Sequence, residues 1–107
     1  MKGTLTSRDD IERLFREGRR SSCAYASISA LPVSGRPGGC VYAAGKKLGS
    51  APLRSRCKRV MRECARELGA PWPGHDVALV ARRSIADAPH DEVVSQMRRT
   101  LEKLSVI

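Results

Sequence analysis

Residues 53–69 read LRSRCKRVMRECARELG, and this stretch decides how the chain can fold. At about 100° per residue, its apolar side chains gather within an arc of roughly 100°. These are Leu53, Cys57, Val60, Met61, Cys64 and Leu68. Opposite this arc lie Arg54, Lys58, Arg59, Arg62 and Arg66. Pro52 suits a first helical turn and Gly69 suits a helix end, so the pattern predicts an amphipathic helix with one core face and one cationic face.

The residues on either side of this helix predict a mixed fold in one domain spanning 1–107. Upstream, the stretch LTSRDDIERLFREG predicts a short first helix, with Ser7 and Asp10 at its start and Gly18 at its end. CAYASISAL at 23–31 and GCVYAAG at 39–45 read as strands, and DVALVA at 76–81 reads as a buried strand. A last helix follows Pro89. Its apolar face consists of Val93, Val94, Met97, Leu101 and Leu104. The predicted class is a compact α+β sandwich.

The charge of the chain indicates a polyanionic partner. The net charge is +9 on 107 residues, and residues 46–68 hold eight basic and two acidic side chains. Most of that charge has no local partner, and basic groups in a first helical turn oppose the helix dipole. Nucleic acid is the first expectation and an anionic membrane surface the second. In contrast, the last helix has acids near its start and Arg98, Arg99 and Lys103 toward its end, as an ordinary solvated helix does.

Several kinds of chemistry have little support in the sequence. The four cysteines, with no C-x-x-C and no histidine at ligand spacing, predict neither zinc nor disulfides, and Cys57 and Cys64 are expected in the core. The sequence has no P-loop spacing, so a bound nucleotide is not expected. His75 and His90 are expected to be surface residues, so we predict no catalytic and no metal-binding side chain. Without a signal peptide or an apolar spanning segment, a cytoplasmic protein is expected.

The segment GKKLGSAPLRSRCKRVMRECAREL, at 45–68, resembles the signature of the bacterial ribonuclease P protein component. The family pattern runs Lys-Lys, Gly, Ala, then Arg-Asn-Arg, then Lys-Arg and Arg-Glu. The residues that match are Lys46, Lys47, Gly49, Ala51, Arg54, Arg56, Lys58, Arg59, Arg62 and Glu63. LTSRDDIERLFREG resembles the family's first helix, and the stretch from Gly74 to Leu104 resembles its last strand and helix.

The resemblance implies a particular architecture. Its element order is α-β-β-β-α-β-α in a two-layer sandwich with a mostly antiparallel four-stranded sheet and three helices. It also implies a left-handed βαβ crossover that contains the basic helix. A right-handed crossover would be the default from sequence alone.

The resemblance also implies a function. Such a chain is the protein subunit of ribonuclease P, which binds the catalytic RNA subunit and the 5′ leader of precursor tRNA. It assists the Mg²⁺-dependent endonucleolytic removal of that leader. The RNA subunit carries the catalysis and binds most of the Mg²⁺. No membrane and no obligate protein partner are expected.

The residues expected to contact RNA follow from the same motif. They are Lys46, Lys47, Arg54, Ser55, Arg56, Lys58, Arg59, Arg62 and Arg66. Ser55 stands where the family usually has Asn. The family also lines a leader cleft with aromatic side chains, and here Ile11 and Ala26 stand where aromatics are expected. The candidate cleft residues are Phe15, Arg19, Arg20 and Tyr25.

Three alternatives remain open from sequence. A ribosomal or ribonucleoprotein assembly protein, with no part in cleavage, fits the charge and size equally well. Helix-turn-helix DNA binding fits less well, because no short helix and tight turn precede the basic helix. Finally, Phe15 shares a helical face with Ile11 and Leu14, so it can belong to the core instead of a cleft.

Overall fold

The structure is a computed structural model that describes residue 5 and residues 7–107. Its helices and strands follow the expected order. They are α1 (Arg8–Glu17), β1 (Arg19–Ser22), β2 (Ala26–Pro32), β3 (Cys40–Ala43), α2 (Ala51–Glu67), β4 (His75–Ala81) and α3 (His90–Lys103). Two short 3-10 helices, Lys46–Leu48 and Arg83–Asp87, precede α2 and α3.

The sheet is mixed, with the strand order β1-β2-β4-β3. β2 pairs antiparallel with both β1 and β4, whereas β3 runs parallel to β4. A parallel neighbouring pair needs a crossover connection, and α2 supplies it. The predicted fold class is therefore confirmed, with one parallel pair in a mostly antiparallel sheet. The left hand of the β3-α2-β4 crossover stays a prediction.

The main core lies between one sheet face and the helices α2 and α3. Alternate residues of β2 and β4 point to this face, among them Ile28 and Leu79. They pack against Met61 of α2 and Leu101 of α3, and all four side chains are fully buried. The sheet and these two helices form the two layers that the sequence predicts.

The first helix adds a smaller cluster on the reverse face of the sheet. Leu14 is fully buried there against Ala78, with Ile11, Leu31 and Val41 partly buried around it. α1 covers only part of this face. The uncovered part is described with the candidate interface below.

The ends of the helices confirm the sequence signals. The Ser7 hydroxyl accepts a hydrogen bond from the Asp10 N–H, and Gly18 caps the end of α1. Ser50 caps α2 in the same way, and Pro52 lies in its first turn. Gly69 follows α2 with a φ of 107°, which a residue with a Cβ adopts only with strain.

The strand β1 is the one that the residue pattern does not locate. Its sequence, RRSS, has no apolar alternation, although the family resemblance implies a fourth strand. β1 forms because its backbone pairs with β2, from Arg19 opposite Ala30 to Ser22 opposite Ser27. Tertiary pairing thus overrides local propensity here.

The buried carboxylate of Asp76 joins the start of β4 to three other parts of the chain. Asp76 is 1% exposed, and its two carboxylate oxygens accept hydrogen bonds from the Arg36 guanidinium at 2.9 and 2.5 Å. The N–H of Gly39, just before β3, donates to the same carboxylate at 3.0 Å. Arg36 also lies 3.6 Å from Asp10 of α1. Burial alone would raise the pKa of Asp76, but the hydrogen bonds from Arg36 and Gly39 outweigh it, so the pKa is lowered.

We expect Asp76→Asn to destabilise the protein by about 2–4 kcal/mol, because it leaves the Arg36 charge half-buried without its partner. The folded-state pKa of Asp76 lies below the unfolded value of about 3.9, so its stabilisation is present above that pH and is lost as pH falls. Asp76→Asn should therefore flatten the acid side of a stability-against-pH curve measured by thermal melting. Asp9→Asn, on the exposed first turn of α1, is the matched control. Equal melting temperatures for Asp76→Asn and this control would contradict the assignment.

Candidate nucleic-acid interface

Helix α2 presents its charge as the sequence predicts. Cys57, Met61, Cys64 and Ala65 are buried, and Leu53, Val60 and Leu68 pack partly against the same core. On the outer side, Lys58, Arg59 and Arg66 are exposed, whereas Arg54 and Arg62 are half-buried at the border of the core face. None of these five cations forms an ion pair with another described residue. We call Arg54, Lys58, Arg59, Arg62 and Arg66 the α2 stripe.

The α2 stripe borders the edge strand β3. The Arg62 guanidinium lies over the ring of Tyr42 in β3, 5.2 Å from its centroid, which is the geometry of a cation–π contact. Tyr42 is half-buried, and this burial raises the pKa of its hydroxyl. The contact holds Arg62 against the sheet without using its N–H donors on a carboxylate. Tyr42 is a residue that sequence reasoning missed, because its strand gave no sign of which neighbour it would meet.

The other flank of α2 carries the acids and faces α3. Glu67 accepts a hydrogen bond from His90 Nε2 at 2.6 Å, and Arg56 lies 3.7 Å from Asp87. The hydrogen bond to Glu67 raises the pKa of His90. Arg56, predicted to contact RNA, thus points away from the α2 stripe toward an exposed acid. His90 is on the surface, as expected, and joins two helices.

The loop before α2 brings further positive charge to the start of the helix. Lys46 and Lys47 are exposed on the 3-10 helix Lys46–Leu48, and Ser55 is exposed on the first turns of α2. The Nε of Arg54 is buried and has no hydrogen-bond partner in the described chain. An anion at this end of α2 would meet these side chains together with free backbone N–H groups of the first turn.

The cysteines take no part in this surface. Cys40, Cys57 and Cys64 are buried free thiols, which confirms the expected core role of Cys57 and Cys64. Burial raises the pKa of Cys40 and that of Cys64 to about 11 each. Such thiols stay protonated and act as small apolar side chains.

The reverse face of the sheet has a second exposed surface beside α1. The strand register aligns one residue from each strand across this face, and we call this row the trough: Ser22, Ser27, Val80 and Ala43. These four side chains are small or medium-sized, and none is fully buried. Arg20, also exposed on this face, lies one row further along. Arg82 continues the alternation of β4 to the same face, since its backbone is extended.

The rotation of α1 puts Phe15 on the flank nearer the trough. Around the axis of α1, Phe15 lies about 200° from Arg13. Arg13 lines a pocket with Asp76 and Leu31, at the end of the strands opposite to the trough. Phe15 is 47% exposed and belongs to neither core cluster, so the core alternative for this residue is wrong.

The other predicted cleft residues do not all join Phe15. Tyr25 is 9% exposed and packs in the main core, on the opposite side of the sheet, where a hydrogen bond to Glu92 raises its pKa. Its placement in the cleft is a wrong prediction, because the turn after β1 directs it under α3. Ala26 is likewise in the main core. Arg19 is paired with Ala30 and so points to the α3 side of β1, whereas Arg20 points to the trough side.

The protein combines a large positive net charge, a helix whose outer cations have no ion-pair partner among the described residues, and an open trough on one face of the sheet. These features define a polyanion-binding protein. Comparison with known proteins narrows this class. The family model described as Ribonuclease P matches residues 1–105. The ribonuclease P protein component of Symbiobacterium thermophilum is 31% identical over 108 residues, which covers 96% of this chain and 91% of that protein.

Solved structures agree in fold. The RNase P protein of Staphylococcus aureus superposes with a TM-score of 0.82 at 19% identity, covering 99% of this chain and 98% of that one. The RNase P protein of Thermotoga maritima gives 0.77 at 21% identity, covering 94% and 96%. The chain belongs to the ribonuclease P protein component family. It is accordingly the protein subunit of an endoribonuclease of tRNA 5′ processing and associates with that enzyme's RNA subunit.

The two faces of α2 predict opposite effects of substitution. Met61→Ala removes a fully buried side chain and should lower the free energy of unfolding by about 2–5 kcal/mol. Lys58→Ala, three residues away on the exposed side, should change it by less than about 0.5 kcal/mol. Chemical denaturation of both variants measures the difference. A comparable loss in Lys58→Ala would mean that the stripe contributes to folding itself.

Proposed function

We propose that the α2 stripe binds phosphates of the ribonuclease P RNA subunit and that the trough binds the single-stranded 5′ leader of precursor tRNA. The observation that carries the proposal is the separation of charge on α2. The five cations of the α2 stripe form no ion pairs among the described residues; three of them are exposed, and Arg62 lies over Tyr42 of β3. Glu67, an acid of the same helix, lies on the other flank and binds His90 of α3. Unpaired charge of this kind repels itself in the free protein, and a polyanion relieves the repulsion.

In this proposal, counterion release drives the initial binding of the protein to the RNA. Each arginine or lysine that approaches a phosphate displaces condensed cations from the RNA, which favours binding most at low salt. Lys46, Lys47 and the first turn of α2 add charge where backbone N–H groups are free. Arg62 is already held over Tyr42, so it loses less side-chain freedom on binding than an unrestrained arginine does.

The trough suits a single strand because it combines a shallow floor with charge and one aromatic ring. Ser27, Val80 and Ala43 leave room for bases over the sheet, and Arg20 and Arg82 lie on the same face, one to either side of this row. Phe15 supplies an exposed ring on which one base can stack. Only one aromatic is available, so we expect charge to contribute more than stacking.

The cleavage chemistry belongs to the RNA subunit in this proposal. Among residue 5 and residues 7–107, no three His, Cys, Asp or Glu side chains come together in a way that could hold a metal ion. These described residues offer no such cluster to a protein-bound Mg²⁺, and we propose that the RNA holds it. The contribution of the chain is to hold the leader and to neutralise phosphate charge near the scissile bond, so that less Mg²⁺ is needed.

We expect binding to the RNA subunit to depend steeply on salt. If about six phosphates are contacted, affinity should fall on the order of a thousandfold between about 50 and 200 mM monovalent salt. Lys58→Ala and Arg66→Ala should each lower the log–log slope by roughly 0.7–0.9. Filter binding with the RNA subunit over a salt series measures this. Arg98→Ala, on an exposed part of α3, is the control, and an unchanged slope in both stripe variants would contradict the proposal.

We expect Phe15→Leu to weaken binding of precursor tRNA that carries a leader by about 1–3 kcal/mol, because the stacking surface is lost. Mature tRNA binding and the melting temperature should stay nearly unchanged, since Phe15 is outside the core. Affinities of the reconstituted holoenzyme for both tRNAs measure the effect. Equal weakening for both tRNAs would remove Phe15 from the leader contact and leave the α2 stripe unaffected.

A further inference from the structure

A third cationic surface lies between α3 and the end of β1. It is a groove of about 190 Å³ lined by Ser22, Cys23, Gln96, Arg99, Thr100 and Lys103. The sequence pattern of α3, with acids first and bases last, predicts only an ordinary solvated face there. The structure adds a concave wall, because the end of β1 and the turn after it run alongside α3.

Hydrogen bonds hold this wall in place. The N–H of Ala24 donates to the side-chain oxygen of Gln96 at 3.1 Å, and the carbonyl of Ala24 accepts from the Ser84 hydroxyl at 2.6 Å. Thr100 donates back to the carbonyl of Gln96 at 3.0 Å, which turns its hydroxyl toward its own helix. The groove therefore exists before any ligand arrives, and binding costs little reorganisation.

The charge of the groove is positive and unopposed. Arg99 and Lys103 are exposed, one turn apart on α3, and neither forms an ion pair among the described residues. No acid lines the groove. Glu102, the nearest acid in sequence, is exposed but does not line the groove, and Glu92 lies near Tyr25, whose pKa it raises. Arg19 points to the same side of β1 as α3 does.

The groove adjoins the trough at the edge strand β1. Ser22 belongs to both surfaces, because it ends the trough at β1 and also lines the groove. The α2 stripe lies at the other edge of the sheet, beside β3, and three strand spacings of about 4.8 Å separate the two edges. A strand that enters at the β3 edge and crosses the trough therefore reaches the edge strand β1, and the groove opens just around that edge, on the α3 side.

We propose that the α3–β1 groove binds backbone phosphates of the leader upstream of the nucleotides in the trough. This inference rests on the proposed function, since it needs the leader to lie in the trough. The end of the leader nearest the scissile bond belongs beside the RNA subunit, at the α2 stripe. Upstream nucleotides then continue toward β1, where Arg99 and Lys103 meet their phosphates. Because the groove offers cations and no exposed aromatic ring, it recognises chain length and not base sequence.

The test is a series of precursor tRNAs whose leaders are shortened one nucleotide at a time, bound to the reconstituted holoenzyme. Wild-type affinity should rise in two stages as the leader lengthens, first over the trough and then at the groove. Arg99→Ala combined with Lys103→Ala should remove only the second stage, a loss on the order of tenfold for long leaders. Arg99→Lys combined with Lys103→Arg should restore it, and Arg98→Ala should have no effect.

Alkylation of Cys23 gives an independent readout. This thiol is partly exposed in the groove, whereas the other three cysteines are buried. A long leader should slow its reaction with iodoacetamide in the holoenzyme, and a short leader should not. Protection by the RNA subunit alone would overturn the proposal by assigning the groove to that RNA. A single-stage rise in wild-type affinity, lost only with Phe15→Leu, would overturn the groove and keep the trough. No dependence on leader length at all would overturn the proposed function itself.

Discussion

Asp76 carries a charge into the interior at the start of β4, and the arrangement of the strands depends on how that charge is satisfied. Its carboxylate is bound by Arg36 from the β2–β3 connection and by the N–H of Gly39, immediately before β3. The chain is tight here, since a Cβ at Gly38 would lie 2.0 Å from the carbonyl oxygen of His75. These contacts hold the start of β3 beside β4 and set the parallel register. Because α2 connects the same two strands, holding β3 beside β4 also fixes the two points between which α2 runs.

The helix α2 meets two demands that oppose each other. Its outward cations repel one another, and its first turn has no acid to complement the helix dipole. Burial of Cys57, Met61, Cys64 and Ala65 offsets that repulsion by removing apolar surface from water. The acids of the helix could have neutralised the stripe, but they lie toward α3, where Glu67 binds His90. The helix is thus held by its core face and by contacts on one flank, while the other flank keeps its charge available.

Much of this could be predicted from the sequence, and the failures have physical causes. The faces of α2, the cap at Ser7 and the glycine after Leu68 follow from local rules of spacing and backbone conformation. β1 does not, because RRSS forms a strand only through pairing with β2. The Arg36–Asp76 pair was not predicted, since the residues are forty positions apart and no periodicity relates them. Tyr25 was assigned to the wrong face of the sheet because its side depends on the turn between two strands. That Phe15 lies outside the core could be decided only once the path of α1 was known.

The distribution of charge over the sheet limits how far the protein can distinguish one RNA sequence from another. Its cations lie at the β3 edge, on the trough face and in the α3–β1 groove, and the described chain has one exposed aromatic ring to accompany them. Phosphate contacts set position and register but read no bases, whereas stacking tolerates any base. Under the proposed function, such a surface accepts leaders of many sequences and responds to their presence and length. Selection of the correct cleavage site must then come from the RNA subunit and the folded tRNA. This chain raises the affinity for the leader, whatever its sequence.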